Sequence, residues 1–176
     1  MSDLPADSFT NMKHASDAEA LKKLPTIAIA SDHAGYEQKT ELSVWLTNQG
    51  YQVFDFGPNN DSRVDYPDYA YLVAQAVSSS QVDIGILLCG TGIGMSIAAN
   101  KVIGVRAANL TSVQFAQLAR EHNAANVATL SARFVDVLLN QQILTAFLNS
   151  QPLADRHAQR VQKIKELEAR QLAGLG

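Results

Sequence analysis

The sequence predicts an α/β fold: a five-stranded parallel sheet, in strand order 2-1-3-4-5, with helices on both faces. Five short apolar segments alternate with segments of helical periodicity, the pattern of a parallel sheet built from strand–helix units. The segment Ile84–Leu88 is almost continuously apolar, as a strand buried on both faces requires. With 176 residues, of which 47% are hydrophobic, the chain can bury one good core, so one main domain is expected.

This main domain is expected to span residues 25–154. Residues 1–24 are polar and mixed, and they are interpreted as a flexible extension that is dispensable for chemistry. Within them, Ser16 and Glu19 have the spacing of a capping box and are compatible with a short helix. Residues 155–176 are expected to form a last helix that packs on a partner surface.

The individual elements follow from β-branched apolar runs for strands and from apolar spacings of three and four residues for helices. Strands are predicted at Thr26–Ala30, Tyr51–Phe56, Ile84–Leu88, Gly104–Asn109 and Asn126–Leu130. Helices are predicted at Tyr36–Asn48, Pro67–Ser79, Met95–Lys101, Val113–Glu121, Val135–Leu148 and Asp155–Gln171. The residues expected to face the sheet are Leu42, Trp45 and Leu46 in the first helix, Tyr71, Leu72 and Ala76 in the second, and Val137, Leu138 and Ile143 in the fifth.

A glycine-rich turn begins directly after Cys89, at the end of the third strand. Its residues are Gly90, Thr91, Gly92 and Gly94. The glycines permit tight backbone angles and let main-chain N–H groups approach a ligand, and such groups favour negative charge on a phosphate, a thiolate or an oxyanion. Cys89 is therefore a candidate proton carrier, although a small buried cysteine beside a simple turn stays open. The spacing matches neither the P-loop nor GxGxxG, which argues against ATP and dinucleotides.

Composition excludes several classes of partner. A net charge of −3 without a long Lys or Arg run argues against nucleic-acid and membrane-surface binding. The single cysteine can form neither an internal disulfide nor a cysteine-based zinc site, and the four histidines are scattered rather than at metal-ligand spacing. No apolar stretch suits a bilayer span or a signal peptide, so a cytoplasmic protein without a metal is expected.

Several polar residues are expected to meet where the strands end, because ligands of doubly wound sheets bind beyond the carboxyl ends of the strands. Asp32 and His33 follow the first strand, and the Cys89 turn follows the third. His122 ends the helix before the fifth strand, and Arg133 follows that strand. These two are expected on the same rim, in one subunit or reaching a neighbour's.

The last helix carries Arg156 and Arg160 four residues apart, hence on one face. This face is either a solvated basic surface or part of an anion site. The opposite face, with Val161, Ile164 and Leu167, requires a partner surface.

Five ordered motifs together resemble the ribose-5-phosphate isomerase B family, including the related galactose-6-phosphate isomerase subunits. The motifs are SDHAG at 31–35, DYPDYA at 65–70, CGTGIGMSIAANK at 89–101, EHN at 121–123 and RHAQR at 156–160. The resemblance runs from about Ile27 to Glu168. It implies a Rossmann-like three-layer aldose–ketose isomerase that needs no metal, nucleotide or other cofactor. It also implies a homodimer whose sites are completed across the interface, with tetramers left open.

The resemblance further implies a role for each site residue. Cys89 would move a proton between C1 and C2 of the sugar, and His122, helped by Thr91, would open the furanose ring. Sugar oxygens would be held by Asp32, Tyr66 and Asn123. The phosphate would be bound by His33, Arg133, Arg156 and Arg160, some of them from the partner chain. The amides of Gly90, Gly92 and Gly94 are candidate donors to the enediolate oxygen.

The substrate stays open at this point. Ribose 5-phosphate and ribulose 5-phosphate are the leading pair, but Ser131-Ala132 and the segment Asn109–Val113 depart from the usual family pattern near the expected pocket. A tetrose phosphate, galactose 6-phosphate or allose 6-phosphate are the alternatives within the same chemistry. From other classes, a non-catalytic module that binds a phosphorylated ligand and a cysteine hydrolase are the competing hypotheses.

Overall fold

The computed structural model describes residues 24–174, so the segment containing Ser16 and Glu19 lies outside the described residues. The strands are β1 (Ile27–Ser31), β2 (Val53–Asp55), β3 (Ile84–Cys89), β4 (Ala107–Leu110) and β5 (Val127–Ser131). The helices are α1 (Tyr36–Asn48), α2 (Tyr66–Ser78), α3 (Ile93–Ala99), α4 (Val113–Asn123), α5 (Val137–Asn149) and α6 (Arg156–Leu172). The predicted order of elements is confirmed, and most predicted bounds differ by only a few residues.

All five strands are parallel, but their order is β2-β1-β3-β5-β4. The predicted order 2-1-3-4-5 is therefore wrong in its last two strands, because β5 pairs with β3 from Gly85↔Val127 to Cys89↔Ser131. Every residue of β5 is buried, whereas three of the four residues of β4 are only partly buried. The more completely buried strand, β5, takes the interior position, and the strand that carries Asn109 lies at the edge.

The core consists of two apolar layers, one on each face of the sheet. On one face, Ile29 and Ile86 pack with residues of α1, α4 and α5, including Leu46 and Phe147. On the other face, Ala28 and Leu87 pack with residues of α2 and α3, among them Val73 and Met95. The predicted three-layer architecture is confirmed, and because helices cover both faces of the sheet, a ligand site is expected beyond the ends of the strands.

The face of α2 that packs on the sheet is only partly the one predicted, since Ala76 is buried as expected. Tyr71 and Leu72 are exposed, while smaller side chains such as Ala70 and Val73 are buried. A Cβ at Gly85 of β3 would lie 2.7 Å from Cγ1 of Val73, so the helix lies too close to the sheet for larger residues. Leu138 in α5 is likewise exposed, because the buried face of that helix is formed by Ile143, Leu144, Phe147 and Leu148.

Candidate active site

The carboxyl ends of β1, β3 and β5 lie side by side. Ser31 is in register with Leu88, and Cys89 is in register with Ser131. The segments that follow these three strands therefore meet at one edge of the sheet. Together with the start of α2, which packs on Gly94, they form a set that we call the carboxyl-edge cluster: Asp32, His33, Tyr66, Cys89, Thr91 and Arg133.

Cys89 is the last residue of β3 and is 5% exposed. Its Sγ accepts a hydrogen bond from the backbone N–H of Gly92 at 3.1 Å. An N–H dipole directed at sulfur stabilises negative charge there, as a proton-accepting thiol needs. Helix α3 has only seven residues, so the turn amides contribute more than its dipole does. The backbone N–H groups of Thr91 and Gly94 make no hydrogen bond within residues 24–174, so they can donate to a ligand oxygen.

The glycines of the turn allow two functional side chains to lie directly on it. A Cβ at Gly94 would meet the Tyr66 ring at 2.8 Å, and a Cβ at Gly90 would meet Cδ of Arg133 at 3.2 Å. Gly92 has φ +77°, and a side chain there would meet backbone atoms of Leu130 at 3.0 and 3.1 Å. Close approach of neighbours therefore disfavours a side chain at Gly92 and Gly94, and at Gly90 a side chain would displace Arg133.

Asp32 and His33 are held by the backbone around them. Oδ1 of Asp32 accepts hydrogen bonds from the N–H groups of Ala34 at 2.9 Å and Gly35 at 3.1 Å, which shape the turn into α1. His33 Nδ1 lies 3.3 Å from the carbonyl oxygen of Val64, in the loop before α2. Asp32 is buried and His33 is half-buried, so both are oriented before any ligand arrives.

Ser131 is a site-supporting residue whose role the sequence analysis missed. Its hydroxyl donates to the carbonyl oxygen of Gly90 at 2.9 Å and accepts from the N–H of Phe134 at 3.1 Å. The N–H of Arg133 also donates to the Gly90 carbonyl, at 3.2 Å. These bonds fasten the segment carrying Arg133 to the Cys89 turn. In the sequence Ser131 stands out only as a departure from the family pattern. Its contact with Gly90 follows from the pairing of β3 with β5, which places Ser131 beside Cys89.

His122 and Asn123 lie at the opposite edge of the sheet from Cys89. They end α4, which leaves the carboxyl end of β4 and runs back to the amino end of β5. Strand β5 alone separates the two edges by roughly 13 Å at about 3.3 Å per residue. The expectation that His122 shares a rim with Cys89 is thus wrong within one chain, whereas Arg133 does reach the Cys89 turn.

The start of α6 packs beside His122. The rings of His122 and His157 are stacked, with centroids 4.0 Å apart and planes inclined by 14°. Arg156 Nε donates to His157 Nε2 at 3.3 Å. Burial lowers the pKa of His157, and the nearby His122, Arg156 and Arg160 lower it further, against an opposing effect of Glu121. We call His122, Asn123, Arg156 and Arg160 the amino-edge cluster.

The end of α4 is fixed by an arginine outside this cluster. The Arg106 guanidinium donates to the carbonyl oxygens of Asn123 at 3.2 Å and Ala124 at 2.8 Å. Burial lowers the pKa of Arg106, and Glu168 opposes that effect. A cavity of about 270 Å³ lies next to this end, and it is lined by His122, Leu153, Val161 and Lys165 among others.

Two further findings concern residues 24–174 alone. No three His, Cys, Asp or Glu side chains are grouped there as they would be around a metal ion. None of the helices in this part of the chain combines the length and apolar character needed to cross a membrane.

Comparison with known proteins shows the family to which the chain belongs. Residues 27–164 match the family model described as Ribose/Galactose Isomerase. The chain is 44% identical over 144 residues to ribose-5-phosphate isomerase B of Escherichia coli, covering 82% of this chain and 97% of that one. Its structure resembles ribose-5-phosphate isomerase B of Clostridium thermocellum, with a TM-score of 0.81, 47% identity, and coverage of 82% and 98%.

A second solved structure carries a sugar phosphate. It is ribose-5-phosphate isomerase B of Mycoplasma genitalium with bound ribulose-5-phosphate, which is 46% identical to this chain with a TM-score of 0.79. The match covers 82% of this chain and 96% of the Mycoplasma genitalium chain. On the family match, the identities and the coverage together, this chain belongs to the ribose/galactose isomerase family.

Proposed function

We propose that this protein interconverts ribose 5-phosphate and ribulose 5-phosphate through an enediolate, with Cys89 as the base. The observation that carries the proposal is the N–H of Gly92 held 3.1 Å from the Cys89 sulfur, in a turn covered by Tyr66 and Arg133. The relative from Mycoplasma genitalium, 46% identical, binds ribulose-5-phosphate, which supports this substrate pair.

The chemical step moves one proton between two carbons and one between two oxygens. The Cys89 thiolate takes it from C2 of the aldose, the electrons form a C1=C2 double bond, and negative charge develops on the C1 oxygen. The thiol then returns the proton to C1, and the proton of the C2 hydroxyl is transferred to the C1 oxygen as the carbonyl at C2 forms, so the C1 oxygen ends as a hydroxyl. The amides of Thr91 and Gly94 are directed to stabilise the charged oxygen, and a preorganised donor of this kind contributes roughly 3–4 kcal/mol.

Ring opening precedes this step for ribose 5-phosphate, because the furanose form has no carbonyl group. We assign it to His122, which would take the proton of the C1 hydroxyl and supply one to the ring oxygen as the C1–O bond breaks. In this proposal Thr91 assists His122, while Asp32, Tyr66 and Asn123 hold the sugar hydroxyls.

The site would be assembled from two copies of the chain. The carboxyl-edge cluster of one chain and the amino-edge cluster of its partner together supply the groups that the reaction needs. Arg133 and His33 would bind the phosphate from one side, and Arg156 and Arg160 from the other, since guanidinium groups match phosphate oxygens in a bidentate manner. The segment 155–176 would then serve both the dimer and the phosphate site, with residues 25–154 as the isomerase domain.

The experiment compares purified wild-type protein with Cys89→Ala and Cys89→Ser, in the presence of EDTA. The wild type is expected to interconvert the two pentose phosphates, and both variants to lose at least about 10²-fold in kcat because no thiolate is present. Unchanged melting temperatures would show that the fold is intact. A Cys89→Ala protein with wild-type turnover would eliminate Cys89 as the base.

The family description names galactose as well as ribose, so hexose phosphates are the second candidate substrates. A panel of erythrose 4-phosphate, ribose 5-phosphate, allose 6-phosphate and galactose 6-phosphate ranks them by kcat/KM. We expect ribose 5-phosphate to give the highest value. A clear preference for a hexose phosphate would replace the substrate and leave the role of Cys89 untouched.

A further inference from the structure

His157 is a buried histidine that the proposed reaction does not use. His157 is 8% exposed and lies at the start of α6, between Arg156 and Arg160 of the amino-edge cluster. One face of its ring stacks on His122 with centroids 4.0 Å apart, and its Nε2 receives the Arg156 Nε–H at 3.3 Å. It therefore contacts the proposed ring-opening group and a proposed phosphate-binding group at the same time.

The hydrogen-bond pattern fixes the state of the His157 ring. An arginine Nε can only donate, so Nε2 of His157 must accept, and the proton of the neutral ring must lie on Nδ1. Nδ1 is buried and has no hydrogen-bond partner within residues 24–174. The titratable and charged groups that face the ring are Glu121 and His122 from α4 and Arg156 and Arg160 from α6. Three of these four disfavour a proton on it, so the neutral form is the one that stacks.

We propose that His157 is a positioning residue that couples phosphate binding to ring opening. This inference rests on the proposed role of His122. When Arg156 binds the phosphate, its Nε–H bond to Nε2 of His157 fixes the ring, and the stacked face of that ring sets the plane of the His122 imidazole. The unpartnered Nδ1–H provides a donor for an acceptor brought by the assembled site.

The coupling can be separated from proton transfer by choice of substrate. Ribulose 5-phosphate cannot close a five-membered ring, because the oxygen that would close it carries the phosphate. Exchange of its C1 proton with D₂O therefore reports enediolate formation at Cys89 without ring opening. Conversion of ribose 5-phosphate, in contrast, requires both steps.

The experiment measures both reactions in wild type, His157→Ala and His157→Phe, with Gln159→Ala as the control on an exposed position of the same helix. His157→Ala is expected to lower kcat for ribose 5-phosphate about tenfold, with C1 exchange of ribulose 5-phosphate changed less than about twofold. His157→Phe keeps the stacked face but not the acceptor, so its kcat should stay within about threefold while KM rises. Gln159→Ala should match wild type.

Two outcomes would overturn the inference: a parallel loss of both reactions in His157→Ala, which indicates a structural role only, and no change in either. The variants His122→Ala and Cys89→Ala separate this result from a failure of the proposed function. If His122→Ala leaves conversion of ribose 5-phosphate intact, the ring-opening assignment itself is wrong. If it impairs conversion whereas His157→Ala does not, only the positioning role is lost.

Discussion

At the scale of single residues, local sequence identified the Cys89 turn but not what lies on it. The need for glycine at 90, 92 and 94 was expected from backbone freedom. The contacts instead show that Gly90 and Gly94 make room for the side chains of Arg133 and Tyr66, which are distant in sequence. The local sequence indicates which backbone dihedral angles a residue can adopt. Crowding by a side chain that is distant in sequence depends on the packed structure.

His157 gives a prediction about stability at this scale. Its pKa is lowered in the native state, chiefly by burial, from an ordinary value of 6.5. Between the lowered pKa and 6.5 the unfolded chain binds a proton that the native protein does not, so stability falls as the pH drops through this window. The wild-type melting temperature is expected to fall between about pH 7.5 and about pH 5.5, and His157→Phe should lose less over the same range. Equal losses in the two proteins would contradict this assignment.

At the scale of secondary-structure elements, α1 is joined to the end of β2 by an ion pair between the buried Lys39 and the exposed Asp55. Lys39 is 1% exposed, and its Nζ donates to both oxygens of Asp55, at 2.9 and 2.7 Å, and to the carbonyl oxygen of Pro58 at 2.8 Å. Asp55 Oδ1 also accepts from the N–H of Gly57 at 2.8 Å. The loop that leads to Tyr66 therefore starts from a fixed point, and no sequence pattern distinguishes Lys39 from the other polar residues of α1.

Removal of the Asp55 carboxylate alone is expected to lower the free energy of unfolding more than removal of both charged groups. Asp55→Ala leaves the buried Lys39 ammonium without its counter-charge and should lower the free energy of unfolding by about 3 kcal/mol, measured by urea denaturation. The double variant Lys39→Met/Asp55→Ala should recover part of that loss, because no unpaired charge remains. If the double variant loses as much free energy of unfolding as Lys39→Met and Asp55→Ala lose together, the pair contributes little to stability.

Prediction of the elements succeeded where one segment decides the outcome. The bounds of α1 agree with the expectation, since Leu42 and Leu46 face the sheet as their spacing predicts. Prediction failed where the packing of two elements against each other decides which face of a helix is buried. Helix α2 has one apolar face of large residues and one of small residues, and its close approach to Gly85 selects the small face.

At the scale of the whole molecule, the proposed catalytic groups lie at two edges of one sheet. Cys89 ends β3, whereas His122 lies beside the start of β5, so a single chain cannot hold both around one small sugar. A two-fold dimer in which each chain offers one edge to the other gives two identical complete sites.

Complementation between inactive variants tests this arrangement. Cys89→Ala and His122→Ala are each expected to be inactive on ribose 5-phosphate. In a mixed dimer one site carries both substitutions and the other carries neither. Co-expression with random pairing should therefore restore about one quarter of the wild-type specific activity. Separately purified homodimers, mixed without subunit exchange, serve as the control. No recovery in verified mixed dimers would show that the sites do not form between chains.

The sequence by itself determined which segments become strands and helices, and where the glycine-rich turn after Cys89 lies, because these follow from periodicity and from residues adjacent in the chain. Only the tertiary structure decided that β5 lies between β3 and β4, that His122 lies an entire strand length from Cys89, and that His157 stacks on His122. These facts depend on which distant segments bury each other best. That competition is settled by packing and burial over the whole sheet, which no local pattern records.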